Sequence, residues 1–353
     1  MTIHDHIRIL FDGEEMQLLH LPGRSDFSLV TFDIMHARAN GRSGFAMKLA
    51  LKRGLDLYAI VPRRPNWYPE AEAQVCAARV RASKDRPSLG YGASMGGYGI
   101  LRYGSALGLN AALAMSPQAT IDPREIGERD PRYLRFFDPI SHDKMRVCAG
   151  DLPPISYAAC DPQFVYDVAQ RNLLDERVIP IDLPHMGHHT SHAMTPSDNA
   201  LARLQEALQG RTHDLQKALL SAARGTLQFA IGQIRKDLAG GDAEMAYLRS
   251  KAAHRRFGED ETLTALLGRS CLATGRNEEG IAAMSPLVAK RPDQIIYRRT
   301  LADLHEAAGD IAASIRHLAH AVTVSGNAVL TRKLRLLRDN SLGDNNMAMA
   351  ESA

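Results

Sequence analysis

Apolar and polar positions alternate with a period of two over residues 7–11 and 15–21, with Asp12-Gly13 between them, which predicts a hairpin of two strands. The β-rich run Phe27–Phe32 predicts a third strand that stops at Asp33, and Leu57–Val61 a fourth. A helix is expected over Ser43–Arg53 and an alanine-rich one runs to Ser83 after the turn-like stretch 62–69. A short glycine-interrupted strand at Ser88–Tyr91 precedes a helical pattern over Tyr98–Leu107, and Ala111–Met115 reads as a buried strand. Then comes a polar, proline-containing excursion, Ser116–Cys148, long enough to be functional and expected to form a small cap. The pattern resumes with strands at Ile155–Cys160 and Val178–Leu183, and with helices over Phe164–Leu174 and Ser197–Leu208. This alternation predicts an α/β domain, a mostly parallel sheet with helices on both faces.

Beyond Gly210 the strand patterns vanish and the chain turns helical, rich in Ala, Leu and Arg. Ala273-Thr274-Gly275-Arg276 matches Ala307-Ala308-Gly309-Asp310 at an offset of 34 residues, and Gly240-Gly241-Asp242 stands 34 residues before. Small, bulky and proline positions recur in register, with Leu267, Gly268, Cys271, Gly280, Met284, Leu287 and Pro292 in one unit and Leu301, Ala302, Ser314, Leu318 and Ala321 in the next. The stretch 215–326 therefore resembles about three tetratricopeptide repeats, helical hairpins of that period, the first degenerate. The resemblance implies an all-α repeat domain that recruits a protein partner or pairs with a second copy. Leu330–Leu337 is expected to cap it, and residues from Asn340 on to lack order. The expected organisation is 1–210 for the α/β domain, 211–338 for the repeats and 339–353 for a disordered tail.

Composition narrows the classes without naming one. A net charge of +3 on 353 residues argues against nucleic acid or an anionic membrane as main partner. Cys76, Cys148, Cys160 and Cys271 stand singly, giving neither a disulfide framework nor a zinc-ligand spacing, so a reducing, cytoplasmic setting is expected. The start, Met1–His6, lacks a basic head and apolar core, so no secretory leader is expected, and no apolar run is long enough to span a bilayer.

The chemistry centres on Gly92-Ala93-Ser94-Met95-Gly96-Gly97, set between a strand and a helix. Gly-x-Ser-x-Gly in that context marks a sharp turn that lifts a nucleophilic serine clear of the sheet. A serine hydroxyl needs an imidazole to take its proton, and the imidazole needs a carboxylate to fix its tautomer. Four histidines, His185, His188, His189 and His192, crowd the loop after the last strand; His188 is preferred because it follows Gly187, with His185 and His189 as alternatives. For the carboxylate, Asp161 ends a strand before Pro162 and is preferred over Asp122, while Asp167 reads as a solvated charge on a helix. A histidine-rich metal site lacks carboxylate or cysteine partners at ligand spacing, so neither metal nor cofactor is expected.

The order serine, acid, histidine is that of the α/β-hydrolase superfamily. Positions 1–210 resemble that superfamily through Gly92–Gly97, Asp161-Pro162 and Gly187-His188. The resemblance implies a serine hydrolase with Ser94, His188 and Asp161 as triad. It also implies an oxyanion hole from the amide of Met95 and one from the loop after the third strand, placed at Ile34; the superfamily's usual His-Gly there is replaced by Phe32-Asp33. Asp33, Trp67, Tyr68 and Gln118 fall at the sheet edge where the pocket is expected. The expected substrate is an ester, thioester, or acylated small molecule or saccharide, cleaved or passed to another acceptor. The alternative is a catalytically degenerate hydrolase-fold scaffold whose repeats recruit a partner.

Overall fold

The computed structural model describes residues 6–195 and 199–351, with side chains described as far as Ser341. Residues 1–5, which carry the expectation of no leader, lie outside the described residues, as do Ser197 and Asp198 at the expected start of a helix. The chain divides into two compact units, Met1–Phe229 and Ala230–Ala353.

The first unit is a mostly parallel eight-stranded sheet with helices. Its strands are β1 (Arg8–Asp12), β2 (Met16–Leu21), β3 (Ser28–Phe32), β4 (Asp56–Pro62), β5 (Ser88–Ala93), β6 (Ala111–Met115), β7 (Ile155–Cys160) and β8 (Val178–Asp182). They lie in the order β1-β2-β4-β3-β5-β6-β7-β8. Only β1 with β2 and β2 with β4 pair antiparallel. The two-residue periodicity decides which layer each side chain enters. In β4, Leu57, Ala59 and Val61 join one core, and Tyr58 and Ile60 the other. In β6, Ala111, Leu113 and Met115 face the first and Ala112 and Ala114 the second. Strands buried on both sides read as unbroken apolar runs, which is why β6 was legible.

Helices α1 (Met47–Arg53), α5 (Ala200–Leu208) and α6 (Thr212–Arg224) cover the first face; α2 (Glu70–Ser83) and α3 (Met95–Arg102) cover the second. The remaining helix, α4 (Val165–Arg171), follows β7. The expected division at 210 is corrected by α6, whose Leu215, Leu219 and Ala223 are fully buried in the sheet-side core. Three apolar residues on one helical stripe outweigh the change of composition at Gly210. The excursion 116–148 carries only short 3-10 turns, yet Ile126, Tyr133, Met145 and Val147 are buried. Gln170 of α4 anchors it, accepting from the Ala119 amide (2.9 Å) and donating to the Thr120 carbonyl (3.0 Å).

The second unit is all helical. Helix α7 (Leu227–Ala239) leads into α8 (Ala243–Phe257), α9 (Glu261–Ala273), α10 (Asn277–Lys290), α11 (Ile295–Ala307), α12 (Ile311–Ser325) and α13 (Ala328–Glu351). The 34-residue period has a structural counterpart. Gly241, Gly275 and Gly309 all take positive φ (80°, 72° and 86°) in the turns before α8, α10 and α12. Each turn closes with the same backbone bond five residues back: Asp242 to Asp237, Arg276 to Cys271 and Asp310 to His305, all 2.9 Å. This is the left-handed glycine stop that satisfies orphan carbonyls at a helix end. Helix α13 runs on through the stretch expected to lack order from 339; residues 352–353 of that stretch lie outside the described residues. No helix among the described residues is long and apolar enough to cross a membrane.

Candidate active site

β5 ends at Ala93 and α3 begins at Met95, so Ser94 alone makes the turn between them, at φ 53° and ψ −121°. A non-glycine residue there is strained, and only a close fit around it holds the conformation. The fit is visible at the flanking glycines. A Cβ on Gly92 would stand 2.3 Å from the Gly96 carbonyl oxygen, and one on Gly96 would stand 2.3 Å from that of Phe32. The glycines thus let the strand, the helix start and the end of β3 close on one another.

The histidine loop brings one imidazole to this serine. His188 Nε2 lies 2.9 Å from Ser94 Oγ. Its Nδ1 lies 2.8 and 2.9 Å from the two carboxylate oxygens of Asp167. A carboxylate only accepts, so the proton sits on Nδ1, leaving the Nε2 lone pair toward Ser94. Asp167 is fully buried in the first turn of α4.

The expected acid is therefore corrected: Asp161 does not meet the His188 ring, and Asp167 does. Asp161 instead accepts from the amides of Gln163 (2.9 Å) and Gly187 (2.7 Å). It fastens the residue just before His188 to the end of β7, so it shapes the loop. Asp122 is engaged by Arg124, whose side-chain hydrogen bonds hold its carboxyl below the usual range. The other histidines turn elsewhere: His185 stands edge-on to Phe229, and His189 and His192 contact each other.

Two further groups converge on the serine and histidine. Gln118, fully buried, donates from Nε2 to Ser94 Oγ at 3.2 Å. Tyr133, in the excursion, places its hydroxyl 3.1 Å from His188 Nε2, so two hydroxyls address one lone pair. Burial pushes the Tyr133 phenol above its ordinary pKa and keeps it neutral. Trp67 is fully buried, packed against Tyr133 and Phe136 at centroid distances of 5.2 and 5.4 Å. Tyr68, also fully buried, donates to the Asp33 carbonyl at 2.6 Å and pins the loop after β3.

At the expected oxyanion site the two amides differ. Met95 is the first residue of α3, so its N–H has no carbonyl partner within the helix. The Ile34 amide, by contrast, donates to the carboxylate of its neighbour Asp33 at 2.9 Å. Burial raises the pKa of Asp33, opposed in part by its backbone hydrogen bonds. Strand register sets this loop beside the elbow, since Phe32 pairs with Gly92.

Sequence reasoning missed Asp167, Tyr133 and an arginine, Arg132, that bonds Asp167 from the excursion at 2.9 Å. Among the described residues no group of three or more His, Cys, Asp or Glu is placed to hold a metal ion.

No protein-family model matches the sequence, and no curated protein matches it. Similar solved structures include the capsule O-acetyltransferase of Neisseria meningitidis serogroup A, at 15% identity over 57% of this chain and 93% of that one, with a TM-score of 0.41. An α/β serine hydrolase without lid from Xanthomonas campestris is similar at 18% identity, over 62% of this chain and 97% of that one, with a TM-score of 0.32. Dienelactone hydrolase from Anabaena variabilis is similar at 10% identity, over 58% and 91% of the two chains, with a TM-score of 0.30.

Proposed function

We propose that the first unit is an acyl hydrolase or acyltransferase working through an acyl-enzyme on Ser94, with His188 as base and then acid and Asp167 as the carboxylate that orients it. The observation that carries this reading is the continuous line from Ser94 Oγ to His188 Nε2 (2.9 Å) and from His188 Nδ1 to Asp167 (2.8 Å). A serine on a strained elbow, with an imidazole and a buried carboxylate in series, is arranged for acyl transfer.

Ser94 Oγ attacks the carbonyl carbon of an ester, thioester or acylated small molecule or saccharide while its proton passes to His188 Nε2. The Met95 amide faces the resulting oxyanion, joined by the Ile34 amide once Asp33 releases it; such donors are each worth about 3 kcal/mol of barrier. The imidazolium returns the proton to the leaving oxygen or sulfur as its bond to the acyl carbon breaks. Water, or the hydroxyl of another acceptor, then gives its proton to His188 and takes the acyl group from Ser94, and the imidazolium returns that proton to Ser94 Oγ as the acyl–oxygen bond breaks. A fluorophosphonate probe tests the reading: it modifies Ser94 in the native chain and not in Ser94→Ala. A folded chain that resists the probe and cleaves no short p-nitrophenyl ester overturns it.

A second reading, a hydrolase-fold scaffold without turnover, is favoured by one observation: the Ile34 amide is already occupied by Asp33. The same probe separates the two. For the second unit, the recurrence of turn glycines every 34 residues supports tetratricopeptide-like repeats that dock a protein partner or a second copy. Sedimentation of the full chain at a mass above the monomer supports pairing; a strictly monomeric mass removes it.

A further inference from the structure

The excursion reaches the triad from behind. Arg132 donates from one guanidinium nitrogen to Asp167 Oδ1 at 2.9 Å and forks onto Asp130, with Nε to Oδ1 at 2.6 Å and the same terminal nitrogen to Oδ2 at 2.9 Å. Both carboxylates are fully buried, and the arginine side chain is 20% exposed. The guanidinium lies over three rings, Tyr133, Phe164 and Tyr166, at 5.0, 5.2 and 5.0 Å from their centroids. Gln170 fixes the far side by donating to Asp130 Oδ2 at 3.0 Å. A planar cation between two carboxylates and three rings has one orientation, and a lysine cannot reproduce the fork.

The charges around His188 make this more than packing. Its ring meets Asp167 from α4, Tyr133 from the excursion and Ser94 from the elbow; Asp161 holds the backbone before it, and Arg132 and Asp130 stand behind Asp167. Asp130, Arg132 and Asp167 together carry one net negative charge. Proton transfer from Ser94 makes an imidazolium and brings this buried set to neutrality. Without Arg132 the imidazolium would face two buried carboxylates with no cation between them, and the transferred proton would be held more tightly.

We infer that Arg132 is a positioning residue that fixes the Asp167 carboxylate under His188 and, with Asp130, sets the pH range in which the histidine can act as base. This rests on the serine-hydrolase reading above.

The test is the second-order rate of fluorophosphonate labelling of Ser94 against pH, measured on the full chain. Arg132→Met moves the acid limb to higher pH by about one unit and lowers the plateau. Arg132→Lys keeps the charge and returns the limb close to the native position, with a plateau still reduced. Asp130→Asn removes the competing negative charge and moves the limb the other way, to lower pH. If Arg132→Met does not fold, the lysine and asparagine variants carry the comparison. Limbs that coincide in folded variants, or that move in the same direction for Arg132→Met and Asp130→Asn, overturn the inference and leave Arg132 a scaffold residue. A native chain never labelled at any pH overturns the serine-hydrolase reading itself, and this inference with it.

Discussion

The Asp33 carboxylate accepts a hydrogen bond from the amide of Ile34, the group expected to face an oxyanion. On the proposed reading the carboxylate competes with the developing oxyanion for that amide. Burial raises the Asp33 pKa, so the ionised form is disfavoured in the folded chain. A raised folded-state pKa contributes stability that is complete below the unfolded value and is lost as pH rises through the folded one. Asp33→Asn is thus expected to gain melting temperature over the native chain at pH 7 and to lose most of that advantage near pH 3.5, as thermal unfolding at the two pH values will show. Its Ser94 labelling is expected to rise several-fold at pH 7, because a developing oxyanion no longer meets a carboxylate.

Asp161 and Asp167 are both buried and differ in what they bond: backbone amides for Asp161, the His188 ring for Asp167. Asp167→Asn removes the charge that stabilises the imidazolium and lets an amide NH2 turn to His188 Nδ1, favouring the wrong tautomer, and is expected to slow acylation of Ser94 by on the order of 10³-fold to 10⁴-fold. Asp161→Asn keeps an oxygen for the Gly187 amide, and a loss of less than about tenfold is expected. Initial rates with p-nitrophenyl acetate rank the two variants, and the reverse ranking would return the role to Asp161.

Gln118 touches Ser94 without belonging to the line from Ser94 through His188 to Asp167. Gln118→Ala removes the donor 3.2 Å from Ser94 Oγ and is expected to lower kcat about tenfold to a hundredfold, with KM little changed. A change confined to KM would make Gln118 a substrate contact instead.

In the helical unit, Gly275 takes φ 72° at the stop before α10. Gly275→Ala is expected to destabilise that unit by about 1 kcal/mol, because a Cβ disfavours the left-handed conformation. Urea unfolding followed by far-ultraviolet circular dichroism will report the shift, while labelling of Ser94 is expected to stay at the native rate.

The sheet, the elbow serine and His188 were legible because their signals are local. Period-two burial fixes strands, glycines two positions either side of Ser94 fix the turn, and Gly187 precedes the imidazole that reaches it. Asp167 was not legible, for a physical reason. In α4 the buried positions are Asp167 and Gln170, whereas Val165 is 68% exposed, so the helix is turned opposite to what its apolar residues suggest. Polar groups face inward there because Arg132, His188 and the excursion backbone satisfy them, and those partners lie 21 to 51 residues away in sequence. The boundary at 210 failed similarly: composition changes there, but the apolar stripe of α6 still belongs to the sheet.

The excursion that carries Arg132 and Tyr133 has no long helix or strand to hold it. It is tied to the sheet by side chains such as Gln170 and by a few buried apolar residues. Segments of that kind open at lower cost than the core they rest on. The chemistry should then have its own melting point, below that of the fold. In mild denaturant or on gentle warming, Ser94 would fall silent while the eight strands remain paired, and it would recover as soon as the segment closed again.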